Sequence, residues 1–259
     1  NVNGQGLLLE RLFHNNIQIV CVGDGMHAES RAAKRWFAAK AEYLKKYRKH
    51  KHIDEEMRES LGAMEILFHL KQMFPHSFHY LKGNHDNIAN ERANGNFPFM
   101  KFAFEGPMVT EYMLSFYSLQ CLKLFYAFEK NIPLVAINNN FIISHAEPIR
   151  FFDPYEIINY RSYPEVVQGL TWTDDGQAEE GSVTQMIHKY LESHYKDEAY
   201  YFGGHRPISG YYNLRNQSRY VQIHNPNKFN IAHIKAGLAI DLEEDVFEIN
   251  DITEEFKER

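Results

Sequence analysis

Gly83-Asn84-His85-Asp86 directly follows the short apolar run Phe78 to Leu81, and this junction decides how the rest of the chain is read. A short apolar run that stops at turn residues reads as a buried strand. Open α/β sheets place polar, ligand-binding groups in the crevice beyond the C-terminal ends of their strands. The same arrangement recurs on both sides. Ile17 to Val22 is a continuous apolar run, as buried parallel strands show, and it ends in Gly23-Asp24-Gly25. Leu134 to Ile137, Asn138-Asn139-Asn140 and Phe141 to Ile143 read as a hairpin-like strand pair whose second strand ends in Ser144-His145. Tyr200 to Phe202 ends in Gly203-Gly204-His205. Singly, each is weak: a Gly-Asp turn is common, and a lone His is usually an ordinary surface or core residue. Four strand ends carrying Asp, Asn or His beside a small residue form a pattern.

Between these strands the periodicity predicts helices at Gly6 to Phe13, Ala28 to Lys49, Asp54 to Met73 with Asp54 as N-cap, Val109 to Phe128, and Ser182 to Ser193. Tyr211 to Leu214, Tyr220 to Ile223 and Ile231 to Leu242 read as further strands. Strands interleaved with helices predict an α/β sandwich with mixed sheets between helical layers. The 259 residues fit one large domain, 1–259, better than two.

The formal charge of −6 argues against a nucleic-acid binder, whose footprint is basic. Cys21 and Cys121 are the only cysteines and lie far apart, which excludes a CxxC metal or redox site and points to a reducing, cytoplasmic setting. No apolar run reaches the length of a membrane span, and no signal-peptide pattern opens the chain, so no membrane partner is expected.

Together Asp24, Asn84, His145 and His205 supply a carboxylate, an amide oxygen and two imidazoles. These hard and borderline donors suit Mn, Fe, Zn or Mg rather than thiolate chemistry. Small residues before each donor let the backbone pass close to a cation. In this order (GD, GNHD, a strand-end His, then GH) the set resembles the calcineurin-like metallophosphoesterase superfamily, and its layout is closest to the PPP-type serine/threonine protein phosphatases. Gly83 to Gly95 resembles their GNHE segment, with Arg92 in place. Phe125 to Pro148 resembles the segment leading to their strand-end His, including Ile132-Pro133. Gly169-Leu170-Thr171-Trp172-Thr173-Asp174-Asp175 resembles their L-W-S-D-P segment. His205 with Gly210-Tyr211 and Asn225-Pro226-Asn227 resembles their closing strands.

The resemblance implies a four-layer α/β/β/α sandwich and two divalent cations, manganese first among them. It implies that Asp24 bridges the cations and that Asn84, His145 and His205 complete the second site. His85 would protonate the leaving oxygen, with Asp86 holding its ring. The implied reaction is in-line attack of a metal-bridging hydroxide on a phosphate ester, in a phosphorylated protein or small molecule. The family's D-x-H-G motif does not occur ahead of Asp24. Asn1-Val2-Asn3 through Phe13 resembles the stretch that follows that motif, so the motif and first strand are expected upstream of residue 1.

The chain departs from the family elsewhere. Ala28 falls where the second motif has its phosphate-gripping Arg, and Glu180-Gly181 falls where a later Arg-Gly pair stands. Arg31 and Arg206 are the candidate replacements. A helical insertion occupies about 27–75, with a basic turn from Lys45 to His52, and an acidic tail occupies about 243–259. The basic turn reads either as a solvated face or as a docking site for an acidic substrate or partner. Two alternatives to a protein phosphatase stand beside it. One is a degenerate relative that binds phosphate or a partner without turnover. The other is a nucleotide or dinucleoside polyphosphate hydrolase.

Overall fold

The computed structural model describes residues 8–249. The expected continuation at Asn1-Val2-Asn3 and the tail beyond Ile249 lie outside them. The chain divides into two compact units, Asn1–Pro133 and Leu134–Arg259. Each contains helices and parallel strands, and the whole is a mixed α/β protein.

In the first unit a short helix, α1 (Leu8–Phe13), precedes β1 (Ile19–Cys21), which pairs in parallel with β2 (Phe78–Tyr80) in the register Ile19↔Phe78 and Cys21↔Tyr80. A parallel pair needs a crossover, and the 27–75 segment provides it as α2 (Ala33–Tyr43) and α3 (Lys51–Met73). Trp36 and Ala39 of α2 pack with Ile53, Met57 and Met64 of α3 in one apolar cluster.

The helix expected over 28–49 starts later, after a 3-10 turn at Ser30–Ala32, and stops at Tyr43. Lys46 and Tyr47 then adopt left-handed conformations, φ 57° and 52°. α3 begins three residues before the expected N-cap because Glu42 takes that role from α2: its carboxylate accepts from His52 N and Ile53 N at 3.0–3.1 Å. Asp54 instead accepts from Tyr112 Oη at 2.9 Å. The aromatic helix expected over 109–128 is two helices, α4 (Glu105–Phe116) and α5 (Leu119–Glu129). Ser118 is extended and its hydroxyl accepts from Cys121 N, so it caps a new helix instead of continuing the old one.

In the second unit β3 (Val135–Ile137) and β4 (Phe141–Ser144) form the antiparallel hairpin read from the sequence. α6 (Pro154–Ile158) opens with an Asp153/Glu156 capping box, and α7 (Pro164–Thr171) and α8 (Ser182–Tyr190) follow. Next come β5 (Tyr200–Gly203), β6 (Asn213–Arg215) and β7 (Tyr220–Gln222). The sheet order is β3-β4-β5-β7-β6, with the β4-β5-β7 centre parallel and both outer pairs antiparallel. Side chains alternate between faces: Tyr201 and Tyr220 join the cluster with Val166, Leu170, Val183 and Met186, while Phe202 and Val221 join Ile240, Leu242 and Val246.

The strand expected over 231–242 is cut at β8 (Asn230–Ala232). The chain then turns through α9 (Leu242–Asp245), capped by Asp241, and returns as β9 (Val246–Glu248) antiparallel to β8. The described start of the acidic tail is therefore ordered secondary structure, with its acids in the first turn of a helix, where the dipole favours them.

Candidate functional site

The four expected cation donors divide two and two between the units. Asp24 and Asn84 stand beyond the C-terminal ends of β1 and β2, which run in parallel, and so share one edge. His145 directly follows β4, and His205 lies two residues beyond the end of β5, again a parallel pair.

In the first unit the two strand ends touch. A Cβ on Gly83 would overlap the Asp24 carboxylate and backbone nitrogen, so the approach depends on glycine. Asp24 itself is left-handed, φ 60°. Its Oδ1 accepts from His85 N at 2.9 Å, and its Oδ2 lies 3.5 Å from His85 Nδ1. Asp86, expected to hold the His85 ring, is committed elsewhere. Its Oδ2 accepts from Gly83 N at 2.7 Å and, more weakly, from Asp24 N at 3.4 Å, while its Oδ1 accepts from Tyr80 Oη at 2.8 Å. Tyr80 Oη in turn accepts from Gly25 N at 2.7 Å. Asp86 thus buckles the end of β2 to the end of β1. Burial, then the charge of Asp24, raises the Asp86 carboxyl, and Lys82, Gly83 N and Tyr80 Oη pull it back.

The sequence reading singled out none of Phe99, Tyr80, Lys82 or Glu129. The Phe99 ring lies 3.7 Å, centroid to centroid, from the His85 ring. His27 is 3 % exposed and wedged among Trp36, Phe99 and His85, and neither of its ring nitrogens has a hydrogen-bond partner. Burial, reinforced by His85 and opposed by Asp24, lowers His27 to about 3. Glu129, at the end of α5, is buried. Burial and then Asp86 raise its carboxyl to about 8, against Lys82 and the Ile88 N–H it accepts. The one signal for Glu129 in the sequence is a charge on an apolar, aromatic helix.

In the second unit His145 Nε2 lies 3.2 Å from His205 Nδ1. Both rings are largely buried. At that distance the two nitrogens share one proton or one cation, since two N–H groups would collide. Two imidazole nitrogens held tetrahedrally at roughly 2.0–2.1 Å from one ion lie about 3.3 Å apart, so the pair fits a shared cation. Asp174 Oδ1 lies 3.6 Å from His205 Nε2 and 2.6 Å from Arg206 Nη2. It therefore faces the opposite edge of the ring from His145 and does not converge on the same point. Nearby, buried Glu147 accepts from Arg215 Nε and Nη2 and from Asn216 Nδ2.

Among the described residues, no group of three or more His, Cys, Asp or Glu is arranged to hold a metal ion. The donors present fit a divalent cation in type and, for the two imidazoles, in spacing. Arg31, the other candidate phosphate ligand, is ion-paired with Glu59 and mostly exposed. No described helix is long and apolar enough to cross a membrane.

No protein-family model and no curated protein matches the chain. Among solved structures it is similar to a serine/threonine phosphatase from Saccharomyces cerevisiae with similarity to human phosphatase PP5. The TM-score is 0.42 and the identity 16 %, over 64 % of this chain and 53 % of that one. The match thus spans about half of that protein's length, and at this level it carries no residue's role across.

Proposed function

We propose that the chain is a cation-dependent phosphoric ester hydrolase with the four-layer metallophosphoesterase sandwich, acting on phosphorylated proteins or small molecules. One observation carries the reading. Two parallel strand pairs each end, at their C-terminal edge, in the donors that the sequence pattern names: Asp24 and Asn84 on one, His145 and His205 on the other.

In this reading those four residues hold two divalent ions, manganese first. The ions supply a Lewis acid and an activated water. His85 gives a proton to the leaving oxygen. Asp24 steadies the His85 ring from 3.5 Å, and Phe99 steadies its face. Asp86 keeps the two strand ends together. Arg206 grips the phosphate after exchanging Asp174 for it, and Arg31 makes the same exchange with Glu59.

The same ion pairs favour a second reading, a relative that binds its ligand without turnover, because both candidate guanidinium groups already have a carboxylate. Turnover of an aryl phosphate with and without Mn²⁺, together with elemental analysis, separates the two. Asp24→Asn should lose both metal and turnover. His85→Ala should keep metal and lose turnover by about 10²-fold or more. Metal bound by the unaltered chain with no turnover selects the binding reading. Turnover that is indifferent to metal sinks the first.

A further inference from the structure

The turn between α2 and α3 is built, not merely solvated. Lys46 and Tyr47 are consecutive non-glycine residues in the left-handed region, a conformation that persists only where the surroundings impose it. Tyr47 does so here. Its ring is buried against Tyr43, Tyr112 and Phe116, and its hydroxyl donates to Met108 O at 2.7 Å. Pinned in this way, the turn holds Lys45, Lys46, Arg48, Lys49 and Lys51 outward, all exposed. None of them makes an ion pair among the described residues, and neither does Arg58, two turns further along the same face of α3. Arg31, Arg35 and Lys101 of the same unit are all paired.

Lys49, Lys51 and Arg58 line a cavity of about 750 Å³ together with Asp54, Tyr112 and Tyr117. Tyr117 stands exposed at its wall. The backbone N–H groups at the start of α3 are taken by Glu42, so a ligand here is read by side chains.

We propose that this cavity docks an acidic segment of a partner protein, with carboxylates on Lys49, Lys51 and Arg58 and an apolar side chain against Tyr117. A peptide is favoured over a nucleic acid on two grounds. Glu55 also lines the cavity, and its carboxylate can accept peptide N–H groups, which a phosphate backbone lacks. The volume suits a few residues. This surface is separate from the residues proposed for turnover and does not depend on that reading.

The test is fluorescence anisotropy with a fluorescein-labelled hexaglutamate peptide, beside hexalysine and a labelled poly-dT oligonucleotide. The Lys49→Glu/Lys51→Glu/Arg58→Glu variant should bind hexaglutamate at least about tenfold more weakly, since three attractive pairs become repulsive. Lys123→Glu on α5 should bind as the unaltered chain does. Binding should weaken as salt rises. The Lys49→Gln/Lys51→Gln/Arg58→Gln variant guards against misfolding and should lose affinity to an intermediate degree. Equal binding by the charge-reversed chain, no binding by the unaltered chain, or tighter binding of the oligonucleotide than of the peptide would each overturn the proposal. Because binding is read without turnover, aryl phosphate hydrolysis by the same variants reports separately on the phosphoesterase reading.

Discussion

Two buried groups in the first unit give its stability opposite dependences on pH. Glu129 is raised from 4.5 to about 8. The unfolded chain gives up this proton above pH 4.5 while the folded state keeps it to about 8. The associated stability is whole below 4.5 and is lost as pH rises, at about 1.4 kcal/mol per pH unit and about 5 kcal/mol in all. His27 is lowered from 6.5 to about 3, so its contribution is whole above 6.5 and is lost as pH falls, at the same rate. Between 4.5 and 6.5 the two slopes nearly cancel, and Asp86, raised as well, acts in the same direction as Glu129. From 6.5 to 8 the His27 contribution is constant, and Glu129 should lower stability by about 2 kcal/mol. Urea unfolding at pH 6.5 and 8.0 measures this, followed by the buried Trp36 in a Trp172→Phe background. Glu129→Gln, which mimics the protonated carboxyl, should remove the fall, and His27→Phe should leave it intact while removing the loss below pH 4.5. Equal stability at the two pH values, or an undiminished fall in Glu129→Gln, would refute the argument.

Further predictions test the supports of the site. Gly83→Ala forces a Cβ onto Asp24 and should cost about 1–3 kcal/mol in urea unfolding; an unchanged midpoint would mean that the two strand ends are not in contact. Ser118→Ala removes the α5 cap and should cost about 1 kcal/mol, whereas a neutral result would make 105–129 one helix after all. Glu147→Gln leaves the guanidinium of Arg215 with only the exposed carboxylate of Asp175 and should cost about 1–3 kcal/mol, read as a lower melting temperature.

The strand ends were legible because the signals that mark them are local. An apolar run and the small residue that stops it lie within a few positions, so the polar strand ends at Asp24, Asn84, His145 and His205 stand out in the sequence, while their grouping as cation donors is what the resemblance implies. Helix boundaries were less legible where a distant side chain decides them. Glu42 moves the start of α3 to Lys51 from across the turn, and nothing near Asp54 announces that it will serve Tyr112 instead. Ser118 was a local signal, outweighed by the aromatic run on both sides of it.

The network around His85 was legible in its donors but not in its pairing. Asp86 is adjacent to His85 in sequence, and the family resemblance implied that it held the ring. In the parallel register Cys21↔Tyr80, Gly83 comes hard against Asp24, and the carboxylate that can reach both strand ends is that of Asp86. Its two oxygens are then used by Gly83 N, Tyr80 Oη and Asp24 N, which leaves Asp24 as the carboxylate facing the imidazole. The aromatic and titratable neighbours follow from the same register. The α2–α3 crossover brings Trp36 over His27, Phe99 reaches His85 from the segment between β2 and α4, and Glu129 closes in from the end of α5. Each of these contacts links residues joined only through the tertiary path of the chain, which is why a reading of local pattern finds the histidine and the carboxylates but not which carboxylate lies beside the ring.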